Sequence, residues 1–129
     1  MKKYRDTSQK LAAVVNYLNS EASSGAIIVV EGERDEDAVR SLGYTGEIYK
    51  LCSNGKSYMG LLNASETHTK TILLLDYDRK GRYMLSRSIK ILQSKGISVD
   101  IWVRKKIREI TKGGIGHIEE LSHFCPDSS

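Results

Sequence analysis

Two unbroken apolar runs, AIIVV at 26–30 and TILLL at 71–75, constrain the fold more than any other feature of this chain. Each is short, rich in Ile, Val or Leu, and lacks the apolar–polar alternation of a strand with one wet face. Each therefore reads as a strand buried on both sides, a kind found almost only in parallel sheets covered by helices. Around them the hydrophobic period changes. Leu11, Val14, Val15 and Leu18 fall at helical spacing in TSQKLAAVVNYLNSEA, with Thr7 or Ser8 as the starting cap and the SSG at 23–25 as the stop. This stripe reads as sheet cover rather than a dimer contact.

RDEDAVRSLG predicts a short helix stopped by Gly43, EIYKL (47–51) an alternating strand, and SNGKSYMGLLNAS a turn and a short helix. The stretch from Lys80 to Lys95 carries Leu85, Ile89 and Leu92 on one helical face and stops at Gly96. ISVDIWV (97–103) reads as a fourth strand, RKKIREITKGGIG as a basic, glycine-interrupted connection, and HIEELSHF as one or two helical turns before Pro126. The alternation predicts an α/β fold with a central four-stranded parallel sheet and helices on both faces. At 129 residues the chain is expected to form one domain: an N-terminal helix (1–25), a core (26–103), and a basic loop with a short C-terminal helix (104–129).

In open parallel sheets, ligands bind beyond the carboxyl ends of the strands, near the switch point in strand order. Both apolar runs end there in acid: the first in Glu31, the second in Asp76 and then Asp78. Like charges brought together must either hold protons more tightly or hold a cation. Hard carboxylate oxygens with no His or Cys nearby suit Mg²⁺ or Mn²⁺ rather than zinc, and Mg²⁺ leaves positions open for water and phosphate oxygens. The competing reading of the D-x-D is a polar loop in which Asp78 caps the helix that begins near Arg79.

IIVVEGERDEDAVRSLG resembles the first motif of Toprim domains, and ILLLDYDRKGRYM resembles the second, D-x-D-x-x-G after an apolar strand. Toprim domains occur in topoisomerases, bacterial primases, OLD-family nucleases, recombination mediators and the ribonuclease that matures 5S ribosomal RNA; the pattern here most resembles that of the small stand-alone, archaeal-type Toprim proteins. The resemblance implies a Rossmann-like fold with Glu31 as general acid/base or metal ligand and Asp76 and Asp78 as Mg²⁺ ligands. It further implies that Gly32 and Gly81 keep turns tight, that Asp35 matches an acid of variable role, and that Asn54 and Gly55 form a turn facing the metal. Glu33 stands where the family often has Lys, so Lys56, Arg34 or Arg79 would have to face phosphate instead.

The net charge of +4 and pI near 9.1 are compatible with a nucleic-acid partner. Arg79, Lys80, Arg82, Arg87 and Lys90 follow the aspartates; Arg104, Lys105, Lys106, Arg108 and Lys112 follow the last apolar stretch. Either set could neutralise phosphates, with Tyr77, Tyr83 and Trp102 stacking on bases, or could simply be a solvated face. Gly113, Gly114 and Gly116 suggest a mobile end that orders on a partner. His68, His117 and His123 are read as surface or helix-end residues, and Cys52 as core. Cys52 and Cys125 have no metal-finger spacing, which leaves both free thiols and a disulfide open. The start MKKYRDTSQK has no apolar run behind it, and no stretch approaches the ~20 residues of a membrane span. A cytoplasmic protein, monomeric or weakly dimeric, is expected. Its function is expected to be either Mg²⁺-dependent cleavage of structured RNA (or DNA), or non-catalytic binding of nucleic acid or a ribonucleoprotein. Nucleotidyl transfer is a third reading, disfavoured because no template-binding module accompanies the site.

Overall fold

The computed structural model describes residues 2–52 and 57–124; Asn54, Gly55, Lys56 and Cys125 lie outside the described residues. The order of elements is α1 (Lys2–Ser23), β1 (Ala26–Val30), α2 (Glu33–Ser41), β2 (Glu47–Lys50), α3 (Tyr58–Glu66), β3 (Lys70–Leu73), α4 (Arg79–Ser94), β4 (Val99–Asp100), α5 (Trp102–Ile110) and a closing 3₁₀ segment, Ile118–Phe124. All strand pairs are parallel, in the order β2-β1-β3-β4. This is the expected α/β class and four-stranded sheet, with helices on both faces.

The period-2 geometry of a strand divides the core in two. Ala26, Ile28 and Val30, with Ile72 and Leu74, meet α1, α2, α5 and the 3₁₀ segment on one face. Ile27 and Val29, with Leu73 and Leu75, meet α3 and α4 on the other. Both central strands are thus buried on both sides, which is why neither sequence alternates. Leu11, Val14, Val15 and Leu18 lie in the first of these clusters, so the α1 stripe is sheet cover.

From β1 the chain crosses to β2 on one flank, then returns past β1 to β3 and on to β4. Direction therefore reverses between β1 and β3, and a crevice opens at their carboxyl ends. The Val29–Leu73 pairing, extended by the bond from Leu74 N to Val29 O (2.8 Å), brings Glu31 and Asp76 out on neighbouring strands.

Several expectations need correction. Helix α1 begins at Lys2, not at a Thr7 or Ser8 cap, because KKYRD contains no breaker and its Lys and Arg residues are good helix formers. The fourth strand is only Val99–Asp100: the Asp100 side chain accepts from Trp102 N (2.8 Å) and Val103 N (3.2 Å) and turns the chain into a helix. What reads as a basic connection is therefore mostly α5, whose Val103, Ile107 and Ile110 are buried at helical spacing beneath an outward basic face. The glycines after it make a bonded turn rather than a loose end. Lys112 and Gly113 take positive φ (55° and 70°), Gly113 N bonds Arg108 O, and Ile115 is buried.

Gly81 sits in the first turn of α4, where a Cβ would lie 2.1 Å from the Asp76 carbonyl oxygen. Only glycine lets this turn press against the exit of β3. Gly32 differs from expectation: its backbone is extended (φ −150°), and a Cβ there would meet nothing within 4 Å. Gly→Ala in a helix normally stabilises by about 0.5–1 kcal/mol. Here Gly81→Ala should instead cost about 2–3 kcal/mol, whereas Gly32→Ala should be near neutral; urea denaturation of the two variants checks the contrast.

Candidate metal centre

Every acid of the site is held by a backbone N–H. Glu31, one residue past β1, accepts from Asp76 N through Oε2 (2.9 Å). Asp76 accepts from Ile118 N through Oδ1 (2.7 Å). Asp78 is the N-cap of α4, accepting from Gly81 N through Oδ1 (2.7 Å). Asp35 reaches back from the first turn of α2 to Gly32 N (3.1 Å). The capping reading of Asp78 is thus correct, and it leaves the other carboxylate oxygen, Oδ2, turned to His117 Nε2 at 3.1 Å.

These side chains edge an open cleft of about 400 Å³ at the crevice, with Glu31, Asp35, Asp76, Glu119, Arg34 and Lys80 among its lining. A groove of about 450 Å³ between α1 and α5 is larger, but its lining of Tyr17, Trp102, Lys106 and neighbours gathers no acids of this kind. Glu31, Asp35 and Asp76 are each less than a tenth exposed. Among the described residues no Lys or Arg pairs with Glu31, Asp76 or Asp78.

The electrostatic consequence follows from burial without a counter-charge. Burial pushes Glu31 up to about 7; the charges of Asp76, Asp35 and Asp78 add to this, and the Asp76 N–H works against it. Burial, helped by Asp76, raises Asp35 to about 6. Burial raises Asp76 as well, against the pull of Ile118 N–H. Asp78 goes the other way, because the Gly81 N–H holds its carboxyl below the usual range. Partial burial works against a proton on His117, but Asp76, Glu120 and Asp78 together raise it above the ordinary imidazole value. Asp76, Asp78 and His117 each offer one donor atom, and the three lie within 4.8 Å of one another. Glu31 adjoins this group through Asp76 but is not one of the three. A donor set of two carboxylates and an imidazole fits a divalent cation, whose charge would relieve the repulsion just described.

Sequence reasoning missed His117, because nothing local ties it to a D-x-D that lies 39 residues earlier. The tie is tertiary: Tyr77 N donates to Gly116 O (2.9 Å) and Ile118 N to Asp76, stitching the 116–118 loop to the exit of β3. Cys52, expected in the core, is exposed at the cleft rim. Its N–H is spent on Glu31 O (2.9 Å), and its Sγ lies 3.4 Å from Met84 Sδ.

The basic candidates divide. Arg104 is not free for phosphate: Nε donates to Leu75 O (2.8 Å), Nη2 donates to Asp76 O (2.7 Å), and the guanidinium lies over Tyr77 at 4.6 Å. It fastens α5 to the end of β3. Lys106 faces the α1–α5 groove beside Glu109 (3.9 Å), and Lys105 is exposed on α5. Arg34 is 86% exposed and 4.0 Å from Glu119. Arg79, Lys80 and Arg82 are exposed in the first turn of α4, which contains no acid. Cations there oppose the helix dipole at a cost of about 0.3–1 kcal/mol each.

No family model matches the sequence. A UPF0292 protein of Thermococcus onnurineus is 36% identical over 94 residues, 73% of this chain and 69% of that protein. A UPF0292 protein of Pyrococcus horikoshii is 35% identical over 118 residues, covering 92% of this chain and 86% of its own. Among solved structures, a protein of Aquifex aeolicus superposes with a TM-score of 0.72 at 30% identity, over 85% of this chain and 96% of that one.

Folded Glu31 and Asp35 keep protons at pH values where the same carboxyls in the unfolded chain have lost them. The metal-free protein should therefore lose stability as pH rises from the ordinary carboxylate range toward about 7. Thermal melts should show Tm falling by on the order of 5 °C across that window. Glu31→Gln should flatten the slope, and Mg²⁺ or Mn²⁺ added at the alkaline end should restore the loss. A Tm that rises with pH would contradict this reading of the carboxylates.

Proposed function

The chain belongs to the UPF0292 protein family, and we propose that it is a Toprim-type protein that uses Mg²⁺ or Mn²⁺ to act on nucleic acid, cleaving phosphodiester bonds in structured RNA. The observation that carries this is the set of carboxylates at the switch point between β1 and β3, with Glu31 and Asp76 buried and no lysine or arginine among the described residues paired to them, on the motifs that resemble Toprim. Asp76 and Asp78 would hold the ion. When bound, it would neutralise charge on a phosphate and make an attacking water more acidic. Glu31, which adjoins the donor group through Asp76 without belonging to it, is placed to exchange a proton beside the ion. It would take one from the attacking water and return it to the departing ribose oxygen, so that the proton count balances.

The first turn of α4 supports a polyanionic ligand. Arg79, Lys80 and Arg82 sit where a helix disfavours cations, and a phosphate backbone beside them would reverse that cost. Exposed Tyr83 on the same helix and Trp102 on α5 offer surfaces for base stacking. RNA is thus the proposed partner, with DNA or a ribonucleoprotein as the wider class, and a monomer or weak dimer in the cytoplasm as the working form. No helix among the described residues is long and apolar enough to cross a membrane.

A second reading, a metal-dependent binding module without cleavage, is favoured by one observation. Arg104 is committed to backbone carbonyls and Glu33 carries an acid to the cleft rim, so few bases face the charge that cleavage would develop. Incubating total cellular RNA with the protein and Mg²⁺ or Mn²⁺ separates the two. Discrete cleavage that falls about 100-fold or more in Asp76→Asn, while RNA binding persists, supports the nuclease. Binding that survives chelation, with no cleavage of RNA or DNA under either ion, supports the module.

A further inference from the structure

The loop that closes the site contributes a nitrogen. His117 Nε2 points at Asp78 Oδ2 (3.1 Å), and its donor atom groups with those of Asp76 and Asp78 within 4.8 Å. Its other nitrogen, Nδ1, faces Glu120 Oε2 at 3.4 Å. That Glu120 oxygen is itself fixed by Gly116 N (3.0 Å) and His117 N (2.9 Å). With a carboxylate at each ring nitrogen, both N–H groups donate while no ion is bound, Nδ1 to Glu120 and Nε2 to Asp78. A cation that displaces the Nε2 proton would leave Nδ1–H on Glu120 and turn the Nε2 lone pair to the metal. The imidazole side chain is 49% exposed, so an ion can reach it from solvent.

We propose that His117 is a metal ligand, with Asp76 and Asp78, and that Glu120 is its positioning residue, so that the site prefers Mn²⁺ or another divalent transition ion over Mg²⁺. The inference rests on the metal site of the proposed function and departs from an all-carboxylate set. Mg²⁺ binds oxygen donors almost exclusively, whereas an imidazole suits transition ions and adds affinity that Mg²⁺ cannot use. Glu120 raises the basicity of the ring nitrogen that would bind. Removing such an outer partner typically costs 10–100-fold in metal affinity. The bonds from the loop to Tyr77 N and Asp76 Oδ1 keep the ring in place without help from the ion.

Pulsed electron paramagnetic resonance of Mn²⁺ titrated into the full chain reads the ligand atom directly. Wild type should show nitrogen-14 coupling to bound Mn²⁺, and His117→Gln should lose it while keeping the same Tm. In competition titrations wild type should favour Mn²⁺ over Mg²⁺; His117→Gln and Glu120→Gln should shrink that ratio by about tenfold or more, weakening Mn²⁺ and not Mg²⁺. Mn²⁺ bound without nitrogen coupling, and with unchanged ion preference in the variants, would overturn the assignment of His117 while leaving the carboxylate site standing. Failure of wild type to bind either ion would overturn both this inference and the metal reading beneath it.

Discussion

Buried like charges with no lysine or arginine among the described residues paired to them are the constraint around which this molecule is organised. Glu31 and Asp76 leave adjacent parallel strands at the one place where the order of the sheet reverses, so topology forces them together. In water two such charges would repel by only ~1 kcal/mol at 4 Å, but withdrawal from solvent multiplies that several-fold. The chain relieves part of the repulsion with backbone N–H groups, one to each acid, and part by holding protons. Neither supplies a positive charge. A divalent ion would.

The surrounding fold keeps these acids in place. Arg104 is spent on the carbonyls of Leu75 and Asp76, which holds the backbone from which the Asp76 side chain leaves the strand. Gly81 allows α4 to press against the same carbonyl, and Asp78 caps that helix with one oxygen. The Gly116–Ile118 loop closes the third side through Tyr77 N and Asp76 Oδ1. Packing on both faces of the sheet makes β1 and β3 rigid, as a site built on their ends requires.

The central strands were legible because burial on both faces removes alternation, and Glu31, Asp76 and Asp78 were legible because they stand where such strands end. Helix α5 was not. IWV reads as strand by composition, and only Val103, Ile107 and Ile110 taken together show the helical period; the deciding event is the Asp100 side chain capping the backbone at Trp102 and Val103. Arg104 counted as a phosphate-binding base because sequence shows charge but not what a side chain's donors already hold. His117 was read as a surface or helix-end residue, since its place depends on a bond between Tyr77 and Gly116 that no local pattern encodes. The glycines near it looked like a flexible tail and are instead a left-handed turn that ends α5.

Anomalous diffraction from a crystal of the protein soaked in Mn²⁺ would show whether a divalent ion sits among the acids of the site. A single strong peak is expected at the exits of β1 and β3, within about 2.5 Å of oxygens from both Asp76 and Asp78. A map with no peak there, or with a lysine or arginine side chain swung in to neutralise Glu31 and Asp76, would contradict a metal site at these acids.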